Sequence, residues 1–246
     1  ERRQCPVHTT LSLPPGVARE TLSLWDLTSD EPVPVQAWAA EDGQTNVAWI
    51  ASDIWEQESR VYELRGGAEE TPLEYEGVQL RDEGDGVLAV TIEGQLFTRY
   101  HYGDDVIRPF LYPVLVGDGL GVTRNWPMLE GVPGERQDHP HHTGLYTAQG
   151  CVNGVDNWSN WREHGYIEHR GFSRRFDGPV AGGFTAQLDW VDHQRQFLMS
   201  ETRRITFYAT DPYERVLDYA VSLHASKGEV TLGDTKEGGL LAVRVA

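Results

Sequence analysis

The run Asp138-His139-Pro140-His141-His142 puts three imidazoles into four positions of a chain with nine histidines in all. Imidazole titrates near neutral pH, so such a run suits proton donation and acceptance. It also suits a metal. In an extended strand His139 and His141 project to one face and His142 to the other, and two imidazoles two apart form a half-site whose third ligand comes from elsewhere. A divalent metal ion is the cofactor this pattern would take, with His139, His141 and His142 as ligands. The plainer alternative is that Pro140 forces a turn and the rings are hydrogen-bonded structural residues. Three histidines so close together favour function over that alternative.

A second segment runs Asn153-Gly154-Val155-Asp156-Asn157-Trp158, followed by Trp161, His164, Tyr166, Glu168 and His169. Asn153-Gly154 is a strong tight-turn signal. Tryptophan stacks on the apolar face of sugar rings, and Asp or Asn nearby can fork hydrogen bonds onto vicinal hydroxyls, so the mix reads as a carbohydrate subsite with Asn153 and Trp158 as contacts. Against this, large aromatics mostly fill cores. Glu168 and His169 would face opposite ways in a strand.

Arg108 and Arg124 stand out in an acidic chain, each able to bind a carboxylate or sugar oxygen with its forked donors, or to make a plain surface ion pair. Trp126 follows Arg124 closely. Pro109 and Pro113 argue against a regular interior strand, so the stretch Ile107 to Leu115 is expected as an edge or loop beside the site. Lys236 and Glu237 lie in Gly233-Asp234-Thr235-Lys236-Glu237-Gly238-Gly239, which has neither the spacing nor the strand-to-helix context of a phosphate loop. A solvated turn is its simpler reading. The chain has no nucleophile elbow, dinucleotide fingerprint or CxxC pair.

The elements that must carry these residues read as strands. Phe184, Ala186, Leu188 and Trp190 share one face of a period-2 run, and Leu217, Tyr219, Val221 and Leu223 share another. Gly86 to Ile92 is apolar on both sides, as in a strand buried on two faces. Trp190, Leu188, Leu217, Tyr219, Val243 and Leu241 are expected in the core. Helical periodicity is nearly absent, Ser52 to Arg60 offering one or two turns at most. The fold class is all-β, an antiparallel β-sandwich, with a small N-terminal β segment over residues 1–70 and the main sandwich over 71–246. Arg65-Gly66-Gly67-Ala68-Glu69-Glu70-Thr71-Pro72 marks the boundary. Leu240 to Ala246 has the pattern of a core strand, as in a chain that continues beyond it.

Composition narrows the partners. With 21 basic against 38 acidic residues the net charge is −17, which repels nucleic acid and anionic lipid and favours a neutral or cationic ligand. No apolar run approaches the roughly 20 residues of a membrane helix. Cys5 and Cys151 match no ligand spacing and read as reduced thiols; with no secretory signal in the sequence, a cytoplasmic protein is expected.

Together, Arg108-Pro109-Phe110-Leu111-Tyr112-Pro113, Val122-Thr123-Arg124 with Trp126-Pro127, Asp138-His139-Pro140-His141-His142-Thr143-Gly144-Leu145, Val152 to Trp158, Gly165 to His169 and Asp234 to Gly239 form a specific set. Over about residues 70 to 246 it resembles a bacterial family often labelled methane oxygenase, a DUF6807-type domain. Membrane methane oxidation needs transmembrane helices, so that label does not describe this chain's chemistry. The resemblance implies a link to sugar utilisation and a fold like the galactose-mutarotase supersandwich. In that fold a histidine acid and a carboxylate base act on a sugar ring oxygen, parts that His141 or His169 with Asp156 or Glu237 would play.

The preferred reading is a carbohydrate-active enzyme of bacterial sugar or glycoside catabolism, a lyase, hydrolase or epimerase, with a small-molecule carbohydrate ligand. His141, His169, Asp156, Lys236 and Glu237 would be catalytic. Arg108, Arg124, Trp126, Asn153 and Trp158 would bind substrate, and all would converge on one concave site. The rivals are a non-catalytic sugar-binding domain, a metal-dependent oxygenase using two histidines and a carboxylate, and a structural subunit.

Overall fold

The computed structural model describes residues 2–40, 42–67, 75–237 and 240–246. In the N-terminal part β1 (Arg2–Leu11), β2 (Leu22–Asp26), β3 (Glu31–Val33), β4 (Gln36–Ala39), β5 (Thr45–Ile54) and β6 (Tyr62–Gly66) form two three-stranded antiparallel sheets, β1-β5-β4 and β3-β2-β6. Alternation buries Leu22, Leu24 and Asp26 of β2 and Val47 of β5. The expected helical turns at Ser52 to Arg60 do not form: β5 continues to Ile54, and a turn follows in which Glu58 N–H donates to Trp55 O at 3.1 Å. Among the described residues the one helical element is a 3-10 turn, Arg19–Thr21. The proposed boundary falls largely on residues 68–74, outside the described residues.

The main body is an antiparallel sandwich. One sheet orders β17 (Leu241–Val243), β12 (Leu145–Thr147), β10 (Phe110–Val116), β9 (Gln95–His101), β8 (Val87–Ile92) and β7 (Val78–Gly84), with β11 (Leu120–Gly121) paired to β10. The other orders β13 (Tyr166–Phe176), β14 (Ala181–Val191), β15 (Phe197–Tyr208) and β16 (Leu217–His224). Their facing sides supply one core, with Leu88, Val90, Ile92, Phe97, Tyr100 and Leu111 meeting Ile167, Phe184, Leu188, Trp190, Ile205 and Phe207. A smaller cluster of Phe110, Tyr146, Ala148 and Trp158 forms separately. Leu111 and Leu145 point to the first core while their neighbours Phe110 and Tyr146 join the second, so the second covers the other face of the sheet.

Leu188 and Trp190 are buried as the alternation predicts, and Leu217 and Tyr219 pack against the same core. Two expectations are corrected. Leu241 and Val243 are 51% and 52% exposed. They pair with Thr147 and Leu145 and share the face that turns toward the other sheet, but β17 ends its sheet and that face is left uncovered there, while Ala242 packs on the second cluster. The stretch around Pro113 is also an interior strand, since β10 lies between β9 and β12. A register shift between Leu111 and Val114 accommodates a residue with no N–H to give.

Between the sheets lies a fully buried ion pair. Glu201 and Arg203 share one face of β15, and Arg203 Nε donates to Glu201 Oε1 at 2.6 Å. Trp190 Nε1 donates to the other carboxylate oxygen at 2.7 Å, and Arg203 Nη1 reaches Pro109 O of the opposite sheet at 3.2 Å. Burial alone would lower the guanidinium pKa, but Glu201 outweighs it and the pKa is raised. Arg203→Met would strand a buried carboxylate and is expected to cost about 3–5 kcal/mol in urea unfolding, whereas Arg203→Met with Glu201→Leu should cost no more than the single change. A double variant markedly less stable than the single one would show that the pair is not acting as a unit.

Candidate active site at the histidine turn

The histidine run lies in the connection between β11 and β12, and it is a turn rather than a strand. His142 N–H donates to His139 O at 3.0 Å, with Pro140 at the position its fixed φ suits, and His139 sits at φ +50°. The expectation that His142 faces away from its neighbours is therefore wrong. The turn gathers all three rings: His139 and His142 stack at 4.9 Å, and His141 lies edge-on to both at 5.7 and 4.5 Å. Among the described residues no group of three or more His, Cys, Asp or Glu side chains is arranged to hold a metal ion.

Arg124 fixes this connection and has little left for a substrate. It is buried, and donates to Trp126 O at 2.9 Å, Arg136 O at 3.3 Å, Asp138 Oδ1 at 2.6 Å and His139 O at 3.1 Å. Asp138 also receives Arg244 at 2.7 Å, tying the turn to the chain just after β17. Glu135 accepts the N–H groups of Asn125 and Trp126, both at 2.7 Å. Trp126 is half-buried beneath the Arg124 guanidinium, 5.2 Å from its ring. Arg124 is thus corrected from substrate contact to scaffold.

Arg108 approaches from the start of β10. It is 2% exposed and donates to His141 O at 3.2 Å, Ser159 O at 3.1 Å and Asn160 Oδ1 at 3.3 Å. Its guanidinium lies 5.6 Å from the ring centre of Tyr146, which is wholly buried with an unpartnered hydroxyl. Trp158 packs on Tyr146 and, edge-on, on His142 at 6.1 Å; it belongs to the core cluster rather than to a sugar-facing wall. Asp156 is a loop-closing group, its Oδ1 accepting the N–H groups of Trp158 at 2.8 Å and Ser159 at 3.0 Å, and its Oδ2 the Ser159 hydroxyl.

Glu237 lies at this site and Lys236 does not. A Cβ on Gly150 would come within 2.9 Å of Glu237 Oε2, so glycine there lets the 235–237 loop close in. Thr235 donates its hydroxyl to that oxygen. The Lys236 side chain is 89% exposed, with its amine 3.7 Å from Glu237 Oε1. Gly238 and Gly239 lie outside the described residues.

Two further expectations fail. Asn153 forms the anticipated Asn-Gly turn with φ +50°, but its side chain accepts Thr231 N–H at 2.8 Å, pinning a hairpin instead of facing a ligand. His169 does not join the cluster. It shares the inner face of β13 with Ile167 and packs on Tyr102 and Phe172 at 4.5 Å each and on Tyr100 at 6.1 Å, against the inter-sheet core. The histidine turn instead abuts the second cluster, on the sheet's other face. Glu168 points the other way, to Arg170 and Arg195, as its parity implies.

Electrostatics separate the roles. Burial, with Arg108 and His139 adding to it, lowers His141 to about 4, and burial with the two neighbouring imidazoles does the same for His142. Both rings are neutral at pH 7 and able to accept a proton. Burial raises Tyr146 to about 12 and lowers Arg108 to about 10, leaving the one protonated and the other charged. Burial opposes ionisation of Asp156, yet hydrogen bonds from Ser159 and Trp158, helped by Arg108, hold its pKa below the usual carboxylate value.

Tyr146, Ser159, Asn160, Asp138 and Arg244 were not anticipated from the sequence. Only Tyr146 carried a signal, as the inward aromatic of the short strand after the histidine run. An antiparallel sandwich with imidazoles gathered beside a buried arginine and tyrosine is the class of protein these features define. The model of the Family of unknown function (DUF6807) matches residues 87–246, spanning every residue of this site, and the chain belongs to that family. No curated protein and no solved structure matches it. No helix among the described residues is long and apolar enough to cross a membrane.

The low imidazole pKa values have a stability consequence. His141 and His142 drop from an ordinary 6.5 to about 4 on folding, so between those values the unfolded chain binds protons the folded one refuses. Their contribution is complete above pH 6.5 and is lost as pH falls toward 4. The double change His141→Gln, His142→Gln should therefore flatten the fall in urea midpoint between pH 7 and pH 4.5; an unchanged slope would mean that the rings are not held neutral.

Proposed function

We propose that this chain is a carbohydrate-active enzyme, a lyase, hydrolase or epimerase, that works by proton transfer at the histidine turn. The observation that carries this is the turn itself, which sets neutral imidazoles against a buried arginine, a buried tyrosine and Glu237. Each of the three reaction types needs one group to take a proton and another to give one, positioned on a fixed frame. His141, neutral at working pH, takes the proton on this reading, and the imidazolium so formed returns it to the product. Glu237 is the carboxylate partner, since the oxygens of Asp156 are committed to its own loop. Trp126, half-buried at the rim, offers a ring face for stacking on a sugar. Arg108 orients the substrate. The mutarotase-like character of the sandwich is part of this proposal and is supported by the stacked antiparallel sheets alone.

Among the described residues no three His, Cys, Asp or Glu side chains are arranged for a metal ion, which favours acid–base work over metal ligation, so chelators should leave turnover intact. A screen of the full chain against oxidised and unoxidised glycosides should find turnover that His141→Ala lowers about a hundredfold or more. His169→Gln and Lys236→Ala should keep it, and kcat/KM should fall only as pH approaches about 4, where His141 takes up its proton. Loss of turnover on chelation would favour the oxygenase or metal-hydrolase alternative. Sugar binding without turnover, surviving His141→Ala, would leave a binding domain.

A further inference from the structure

We infer that the histidine-turn site takes a carboxylate-bearing sugar, of the uronate or aldonate class, whose carboxylate is received by Arg108 and Tyr146. This rests on the proposed carbohydrate chemistry and adds the charge of the substrate. Three arginines among the described residues are buried: Arg108, Arg124 and Arg203. Arg203 meets Glu201 and Arg124 meets Asp138, each at 2.6 Å. Arg108 meets no carboxylate among the described residues. Its bonds go only to uncharged acceptors, His141 O, Ser159 O and Asn160 Oδ1, and its buried Nε has no partner.

A buried guanidinium without a counter-charge is costly, and Arg, unlike Lys, presents paired donors that match a planar carboxylate. Asp156, the nearby carboxylate, is held by Trp158 and Ser159 and is not free to serve. A second orphan donor stands beside the first. Tyr146 is fully buried, its hydroxyl has no partner, and its ring lies beneath the Arg108 guanidinium. Two buried donors with nothing to donate to call for an acceptor-only oxygen, and a sugar hydroxyl, itself a donor, would satisfy them less well than a carboxylate.

The chain's net charge of −17 does not contradict this. The diffuse surface field is screened beyond about 8–10 Å at physiological salt, whereas a desolvated guanidinium acts at contact. A dianionic phosphate fits less well. Arg124 and Arg244 are already committed to Asp138, so one guanidinium and a neutral hydroxyl would have to hold it.

Titration calorimetry on the full chain with glucuronate, glucose, glucuronamide and acetate tests the inference. Glucuronate should bind about tenfold or more tightly than glucose and the amide, as charge-assisted bonds to buried donors require. Arg108→Lys disturbs the three bonds that hold neighbouring loops and could unfold the site, so Tyr146→Phe is the decisive variant. It removes only an unpartnered hydroxyl and should weaken glucuronate about tenfold while the urea midpoint holds or rises. Glucuronate bound no better than glucose or its amide, or equally well by Tyr146→Phe, would overturn the carboxylate assignment. Binding or turnover of neutral sugars in that same experiment would leave the carbohydrate reading standing. Acetate bound as tightly as glucuronate, or no sugar bound at all, would remove both.

Discussion

The buried pair of Glu201 and Arg203 sets the relation between the two sheets. An ion pair in a dry core contributes little net stability, because desolvation offsets most of its attraction, but it tolerates few geometries. Here the carboxylate is bonded on both oxygens, to Arg203 and to Trp190, and the guanidinium reaches Pro109 O across the sandwich. A slide of one sheet over the other would break a charged bond in a place water cannot repair. Pro109 is adjacent to Arg108, so the tether that registers the sheets also fixes where the site's arginine enters. The core thereby places a polar group on the opposite side of the sheet.

From that fixed point the site is assembled by loops whose backbone polar groups are satisfied by buried side chains. The connection from β11 to β12 is long and has no regular structure, and Arg124, Asp138, Arg244 and Glu135 replace the ladder it lacks. These residues fix the backbone of the histidine turn. A chain read from composition alone would assign such arginines to ligand binding. Burial and the identity of the acceptors distinguish the two jobs: Arg124 donates to its own loop and to Asp138, while Arg108 keeps a donor in reserve.

The sandwich was legible where one face of a strand is buried and the pattern runs long enough to fix parity, as at Phe184 to Trp190. It was misread where the pattern was short or a second layer covered the other face. Leu241 and Val243 look like core residues because the strand is apolar throughout, yet β17 is an edge strand and the face they share with Leu145 is left uncovered there. Pro113 suggested an edge by removing a donor, but a register shift absorbed the loss within the sheet. In the site, residue types were informative and geometry was not. The histidine run was found from its density, but whether it was strand or turn depended on the hydrogen bond from His142 to His139. Asn153, Trp158 and His169 fit a sugar site by chemistry and were removed from it, Trp158 by burial, His169 by parity and Asn153 by its bond to Thr231. Ser159 and Asn160 carry no signal, because what places them is a tertiary contact with Arg108.

Buried polar atoms without partners occur both in the inter-sheet core, at Tyr100, His169 and Arg203, and beside the histidine turn, at Arg108 and Tyr146. Proteins bury few polar atoms without partners, and those they keep need a reason. At the inter-sheet network the charges are matched within the chain, as a structural role requires. At the turn a buried cation without a carboxylate, a buried phenol without an acceptor and two imidazoles held neutral occupy one region, each a cost to the folded state that better packing would remove. Selection for stability alone would replace them with apolar side chains. On the proposed function a ligand would complete these hydrogen bonds, and the free energy withheld on folding would become available on binding.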